Sequence, residues 1–298
     1  MQVLENLAMI ILLSLISFGF GGSHVGVATG SAVGAGMINK RIAIIISALG
    51  YVVGLILGFN LDFITGISRP MCSLLTSSAF MLWSAISGVP ISLTYVIASS
   101  NAGCFYYTKD ILLPLSKIAE LSIWWFIATV LSLILSSALN FLFRYWSSNN
   151  PMVKMFIMKS SSIILCFIVA FCIGMNNLAF LSYLTNHQYY LYIIIFSVLG
   201  ALLLGSQSII TLGYKVYRSK FNSALITLIT TSVVTLFATV LRIPISVSYI
   251  VTSALLGISI SSSPRLIMYG IIIRIFIFQL LSIVMALIVG ISISLVIS

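Results

Sequence analysis

Long apolar stretches, joined by short polar segments, run through the whole chain. Eight of them can be delimited: Leu7–Met37, Ile42–Phe59, Ser73–Gly103, Ile118–Phe143, Met155–Leu184, Tyr189–Leu204, Phe221–Ser259 and Ile271–Ile297. Stretches of about this length and polarity are typical of helices that cross the hydrocarbon core of a bilayer. Because several of them are interrupted, we predict an all-α integral membrane protein with about 10 membrane segments.

Four of the stretches carry glycine, proline or asparagine motifs in their middle. The motifs are Gly21–His24, Pro90–Ser92, Gly174–Asn177 and Pro244–Ser246. Proline favours the first turn of a helix, and serine or asparagine favours its cap, so each motif predicts the start of a new half-helix. A break at membrane depth is tolerated only where protein or a watery cavity satisfies the freed backbone groups. The pattern therefore predicts broken or re-entrant helices, which favour a functional site.

The second half of the chain repeats the first. The heptapeptide Val89–Tyr95 matches Ile243–Tyr249, and their prolines are 154 positions apart. The glycine motifs that include Gly21 and Gly174 are 153 positions apart. Two independent matches at almost one offset indicate a duplication. We therefore predict a first repeat over residues 1–146, a cytoplasmic connecting loop over 147–154 and a second repeat over 155–298.

The charges of the polar segments predict how the repeats lie in the membrane. The chain has 14 Lys and Arg against 4 Asp and Glu, and the cations are spread over the loops. The excess is typical of cytoplasmic loops rather than of nucleic-acid binding. Placing Lys40, Arg41, residues 144–159, residues 207–220 and Arg265 in the cytoplasm puts both termini outside. The two repeats then have inverted topology in a multi-pass protein of the cell membrane, as in secondary transporters.

Composition excludes other classes of protein. Hydrophobic residues make up 61% of the chain and charged residues only 6%, too few for the surface of a soluble domain. The sequence has no HExxH motif, no P-loop and no paired carboxylates, so we predict no enzyme activity, no cofactor and no metal. The cysteines Cys72, Cys104, Cys166 and Cys172 lie in apolar context and are interpreted as buried hydrophobic residues.

The four interruptions together predict an anion site. A helix N-terminus carries about half a positive charge and unpaired N–H donors, so several of them meeting near the midplane favour a negative ligand. For a single kink, we would instead expect glycine and proline only to bend packed helices. The candidate ligand-binding residues are Ser23, His24, Ser92, Thr94, Asn176, Asn177, Arg242, Ser246 and Ser248.

Two of these candidates carry more specific expectations. Arg242 lies two residues before Pro244 in an apolar segment, and its planar guanidinium suits a tetrahedral oxyanion. The alternative is that Arg242 reaches to the membrane interface. His24 could carry a coupling proton, or could serve only as a structural hydrogen-bonding residue.

At these motifs the chain resembles the inorganic phosphate transporter (PiT) family. That family has a GANDxANAxG signature in each of two inverted halves and a PxSTTH-like motif later in each half. Residues Gly21–Gly34 stand where the first signature would, and Gly174–Ala179 stand at the second. The motifs at Pro90 and Pro244 match the later one, and Leu212–Val216 resembles the family segment Trp-Gly-Tyr-Arg-Val. The resemblance covers nearly the whole chain.

The chain departs from the signatures at their acidic positions. His24 and Asn177 replace the two aspartates, while Val27 and Phe180 replace later asparagines. In the family, these polar residues help to bind phosphate and the coupling sodium. Without the carboxylates, the resemblance implies coupling to protons rather than to sodium, with His24 as the proton carrier.

The sequence thus predicts a secondary active transporter that moves inorganic phosphate by ion-coupled symport, with a proton as the expected coupling ion. A sulfate permease of the same family is the close alternative. Alternatives of another class are an anion channel and a non-transporting membrane scaffold. The expected partners are the oxyanion and membrane lipid, without nucleic acid, and a homo-oligomer stays open.

Overall fold

The structure, a computed structural model, describes residues 2–58, 70–105, 112–144, 151–183, 185, 187–215, 221–243, 245–261 and 269–297. In this part of the chain, every regular element is helical. The helices are α1 (Gln2–Gly34), α2 (Lys40–Ile56), α3 (Pro70–Ser87), α4 (Leu93–Cys104), α5 (Leu112–Arg144), α6 (Pro151–Ile173), α7 (Ala179–Tyr183), α8 (Tyr190–Ile209), α9 (Phe221–Val240), α10 (Val247–Ser261) and α11 (Tyr269–Ile297). A π-helical turn, Gly174–Leu178, joins α6 to α7, and a second, Ile210–Tyr214, extends α8.

Within the described ranges, six helices are long and apolar enough to cross a bilayer. They are Val3–Gly34, Ala119–Phe143, Met152–Ser182, Tyr190–Tyr214, Phe221–Val240 and Ile273–Val296. Large apolar side chains on the outer faces of α5 and α11, such as Phe126 and Leu281, are exposed, as expected where lipid rather than water surrounds the protein. The predicted all-α, multi-pass membrane protein is confirmed.

Two of the predicted interruptions are present. Helix α3 ends at Ser87 and α4 begins at Leu93, so the helical structure is interrupted around Pro90. Similarly, α9 ends at Val240 and α10 begins at Val247. Pro244 itself lies outside the described residues. We call these two pairs the first hairpin (α3–α4) and the second hairpin (α9–α10).

The break predicted at Gly21–His24 is wrong, because α1 runs through it without interruption. Its glycines serve close helix packing instead. A Cβ atom on Gly21 would collide with the backbone of Ser197 in α8, and one on Gly200 would collide with the backbone of Phe18. Glycine therefore marks the place where α1 and α8 lie backbone to backbone.

The motif at Gly174 is also continuous, although it is not a regular α-helix. Residues Gly174–Leu178 form one π-helical turn between α6 and α7. Turns of this kind are rare and occur frequently at functional sites, because they redirect side chains that an α-helix would place elsewhere. The predicted half-helix start is thus replaced by a local widening of a continuous helix.

The two halves of the chain exchange equivalent contacts. Helix α1 packs on α8 and α2 packs on α6, while α4 packs on α11 and α10 packs on α5. The exchange extends to single residues. A Cβ atom on Gly103 would meet the carbonyl oxygen of Leu287, and one on Gly257 would meet that of Leu133. Gly257 follows Gly103 by 154 positions, and Leu287 follows Leu133 by the same number, so the two contacts are equivalent.

The first hairpin contains a disulfide, which corrects the interpretation of two cysteines. Cys72, near the start of α3, is bonded to Cys104 at the end of α4, with Cα atoms 6.3 Å apart. The bond closes the hairpin at its base, away from the break at Pro90. Cys166 and Cys172 are free and buried, as the sequence predicted for them.

Candidate functional site

His24 lies in the middle of α1 and joins it to the start of α10. Its Nδ1 atom is 2.8 Å from Ser23 Oγ and 3.2 Å from the carbonyl oxygen of Phe20. Its Nε2 atom is 3.3 Å from Ser248 Oγ. Because a carbonyl only accepts, a neutral ring that donates from Nδ1 to Phe20 leaves Nε2 to accept from the Ser248 hydroxyl. The imidazole therefore connects the two halves of the chain through hydrogen bonds at its two nitrogens.

Asn176, in the π-helical turn, supports the break of the second hairpin. Its side-chain Nδ2 donates to the carbonyl oxygen of Ile243 at 2.9 Å, and its Oδ1 accepts from the backbone N–H of Ile245 at 3.4 Å. These backbone groups belong to the interrupted stretch between α9 and α10. The amide therefore satisfies groups that would otherwise be costly to bury.

Three buried polar atoms, one in the π-helical turn and two at the start of α10, have no hydrogen-bond partner in the described part of the chain. They are Asn177 Oδ1, Ser246 Oγ and the hydroxyl of Tyr249. Each of these residues is at most 5% exposed. Asn177 follows Asn176 in the sequence, and Ser246 follows Ile245. The side-chain oxygen of Asn176 accepts a hydrogen bond from the backbone N–H of Ile245. An unpaired buried polar atom costs about 1–3 kcal/mol, so a group of them beside a helix N-terminus points to a polar ligand.

The first hairpin contributes the matching helix N-terminus. The hydroxyl of Ser92 accepts from the backbone N–H of Tyr95 at 3.4 Å and lies 3.1 Å from Thr94 Oγ1. The ring of Tyr95 stacks on that of Tyr249, with centroids 5.0 Å apart. Because both tyrosines lie in the first turns of their helices, the stacked rings bring the starts of α4 and α10 together.

The electrostatic character of the site comes from these helix ends. Ser23, His24, Ser92, Thr94, Asn176, Asn177, Ser246 and Ser248 are all at most 4% exposed. Among these residues there is no carboxylate and no basic side chain other than the His24 imidazole. Two helix N-termini in such a buried setting favour an anion, since their N–H groups and dipoles face no competing negative charge.

Arg242 differs from the other candidates. It lies in the turn after α9 with a φ of 57°, and its side chain is exposed, whereas the other eight are buried. The structure thus places Arg242 beside the break between α9 and α10 but outside the buried cluster. Its role as an anion ligand stays a prediction.

Two residues that bond to the backbone near the site, Gln279 and Ser208, were not predicted from the sequence. Gln279 of α11 is fully buried, and its Nε2 donates to the carbonyl oxygen of Pro90 at 3.2 Å. The signal was available, because a glutamine inside an apolar membrane segment calls for an internal partner. The hydroxyl of Ser208 lies 2.9 Å from both the carbonyl oxygen of Gly22 and the N–H of Gly26. Nothing in the sequence distinguishes this serine from the many others.

The chain has similar proteins among both sequences and structures. No family model matches it. It is 25% identical over 297 residues to a protein of Methanocaldococcus jannaschii named "Putative phosphate permease", covering 97% of this chain and 96% of that protein. It superposes with a TM-score of 0.84 and 17% identity on a solved structure titled "The sodium-dependent phosphate transporter", covering 100% of this chain and 99% of that one.

These comparisons confirm the resemblance to the PiT family. The similarity in sequence extends over nearly the full length of both proteins. The structural match shows that the chain has the fold of a membrane transporter. The names of both proteins also agree with the prediction that the chain is not an enzyme.

Proposed function

We propose that the chain is a secondary active transporter that moves inorganic phosphate across the cell membrane by ion-coupled symport. The observation that carries this proposal is the meeting of the starts of α4 and α10 beside His24, next to three unpartnered buried polar atoms. The M. jannaschii relative, named as a phosphate permease, supports phosphate as the substrate.

The transporter is built from two inverted repeats, over residues 1–146 and 155–298, joined by the cytoplasmic loop 147–154. The exchanged contacts support this arrangement. A Cβ atom on Gly103 would meet the carbonyl oxygen of Leu287, and one on Gly257 would meet that of Leu133, so two contacts between the halves are related by a shift of 154 positions. With about 10 membrane segments in inverted repeats, the two hairpins enter the membrane from opposite sides.

Phosphate binds between the two hairpins. N–H groups at the starts of α4 and α10 donate to its oxygens, together with the hydroxyls of Ser92, Thr94, Ser246 and Ser248. The site is desolvated, so the hydrogen bond from each of these donors is stronger than it would be in water. Rocking of the hairpins against the continuous helices then opens the site to one side at a time.

The coupling ion is a proton carried by His24. Protonation of Nε2 turns the imidazole into a donor toward Ser248 and adds a positive charge beside the anion, so proton and phosphate bind together. Sodium is the alternative, since the solved relative is titled sodium-dependent. The absence of carboxylates among the buried candidate residues favours the proton, because sodium is a hard cation and such ions are usually held by oxygen ligands that include carboxylates.

Both termini lie outside the cell. The loop charges support this orientation, and the disulfide adds a second argument. In this topology, the base of the first hairpin, with Cys72 and Cys104, faces outward. Disulfides form and persist in oxidising environments outside the cytoplasm.

Uptake into proteoliposomes tests the proposal. Labelled phosphate or sulfate is offered with an inward proton gradient, with an inward sodium gradient and with neither. We expect phosphate to accumulate above equilibrium when the proton gradient is present. Accumulation driven only by the sodium gradient would show that sodium, and not a proton, is the coupling ion. Passive equilibration would indicate a channel, and no flux of either anion would favour a scaffold.

His24→Ala is the matched test of coupling. If His24 carries the proton, this variant loses gradient-driven accumulation while it keeps exchange of labelled for unlabelled phosphate, because exchange needs no net proton movement. Full proton-driven uptake by His24→Ala would contradict the role given to His24.

A further inference from the structure

We infer that Asn177 makes the site selective for a protonated oxyanion, hydrogen phosphate rather than sulfate, by offering its side-chain oxygen to the hydroxyl group of the anion. The inference rests on the proposed function and deepens it, since it concerns which oxyanion the same site accepts.

The geometry of the π-helical turn leaves one acceptor unused. Asn176 and Asn177 are adjacent, and both are buried. Asn176 uses its two amide atoms on the backbone of Ile243 and Ile245. Asn177 Oδ1, in contrast, has no partner within the described ranges of the chain. An amide oxygen accepts hydrogen bonds and cannot donate them, so its missing partner must be a donor.

Hydrogen phosphate supplies such a donor and sulfate does not. Near neutral pH, phosphate carries one or two P–O–H groups, whereas all four oxygens of sulfate are unprotonated. Backbone N–H groups and hydroxyls donate to either anion equally well. Only an acceptor distinguishes the two, because sulfate would leave it unpaired and facing a negatively charged oxygen.

The other unpartnered atoms at the start of α10 cannot make this distinction. Ser246 Oγ and the hydroxyl of Tyr249 belong to groups that both donate and accept, so they adapt to either anion. A neutral amide also avoids the repulsion that a carboxylate would exert on a dianion. The amide oxygen of Asn177 therefore favours phosphate over the alternative of a sulfate permease.

The test compares four oxyanions as competitors of labelled phosphate uptake into proteoliposomes. Phosphate and arsenate carry a proton near neutral pH, whereas sulfate and selenate do not. We expect the wild-type chain to be inhibited by arsenate at concentrations at least about tenfold below those of sulfate or selenate. Asn177→Leu keeps the size of the side chain but removes the acceptor. In this variant we expect the ratio of the inhibitory concentration of sulfate to that of arsenate to fall toward one, mainly through weaker binding of phosphate and arsenate.

Two further variants separate selectivity from general damage. Asn177→Asp keeps an acceptor oxygen and should retain the preference for protonated anions, even if its rate falls. Ser246→Ala removes a group that serves both anions and should weaken all four to a similar degree, leaving the ratio unchanged. Monodisperse elution of each variant in detergent establishes that it is folded.

The outcomes distinguish this inference from the proposed function. A wild-type chain that moves none of the four anions contradicts the proposed transport itself. A wild-type chain that transports phosphate, with an unchanged arsenate-to-sulfate ratio in Asn177→Leu, contradicts only the role of Asn177. A wild-type preference for sulfate and selenate would likewise overturn the inference while leaving an oxyanion transporter.

Discussion

The two hairpins carry matching sequence motifs, yet they are stabilised in different ways. The first is closed at its base by the disulfide between Cys72 and Cys104. The positions that correspond to these cysteines in the second hairpin, 154 residues later, are Ile226 and Ile258. The covalent constraint is thus present in only one hairpin.

The breaks also differ. Asn176 satisfies two backbone groups of the second hairpin from the neighbouring π-helical turn, whereas Gln279 satisfies one carbonyl group of the first hairpin from α11. Because only the first hairpin is closed by a covalent bond, we expect it to act as a fixed support and the second hairpin to move more during transport.

Asn176→Leu has the largest expected effect. It removes both hydrogen bonds to the second break and leaves two buried backbone groups unpaired, so we expect initial phosphate uptake to fall by about a hundredfold. Asn140→Leu is the matched control, because Asn140 bonds to Ser261 Oγ at the far end of α10. Uptake by Asn140→Leu should stay within about threefold of wild type. An equal loss in both variants would contradict the specific role of Asn176.

A disulfide introduced into the second hairpin has the next largest effect. Ile226→Cys with Ile258→Cys copies the natural bond of the first hairpin. If the second hairpin moves, oxidation should lower uptake by about tenfold and reduction with dithiothreitol should restore it. The comparison of the two hairpins fails if the cross-link forms, as shown by a gel-shift of the thiols, and uptake is unaffected.

Gln279→Leu should have a smaller effect than Asn176→Leu. It leaves one carbonyl group of the first break unpaired, so we expect uptake to fall by about tenfold. The rate is measured in the same proteoliposome assay and is normalised to the amount of reconstituted protein. A loss as large as that of Asn176→Leu would mean that the two breaks are equally sensitive.

Removal of the natural disulfide should have the smallest effect on transport. In Cys72→Ser with Cys104→Ser, we expect a lower melting temperature, because the cross-link restricts the unfolded chain. The uptake rate should change by no more than about twofold, since a fixed support can stay in place without its covalent bond. Complete loss of uptake in a folded double variant would show that the bond itself is required for transport.

The breaks at the two hairpins could be predicted from the sequence, because proline and a capping serine act locally. Pro90 cannot continue a helix, and Ser92 then caps the next one. The error at Gly21 arises because glycine has two uses in a membrane helix. It permits a break, and it also permits another backbone to approach closely, as that of Ser197 does. Only the position of α8 distinguishes these uses.

The buried site could be predicted only in part. Its serines and asparagines were found because they lie at or beside the glycine and proline motifs at which interruptions were predicted. The exposure of Arg242 could not be found in this way, since a left-handed turn after α9 determines where its side chain points. The disulfide was also missed, because its cysteines are 32 positions apart and become neighbours only when the first hairpin folds.

The hydroxyl of Ser208 has a mechanical consequence. It contacts the carbonyl oxygen of Gly22 and the N–H of Gly26, which lie on either side of His24 in α1. Insertion of a side chain into the hydrogen-bond ladder of a helix is a known cause of bending. Sliding of α8 along α1 would therefore break these two hydrogen bonds on either side of the turn that carries the imidazole.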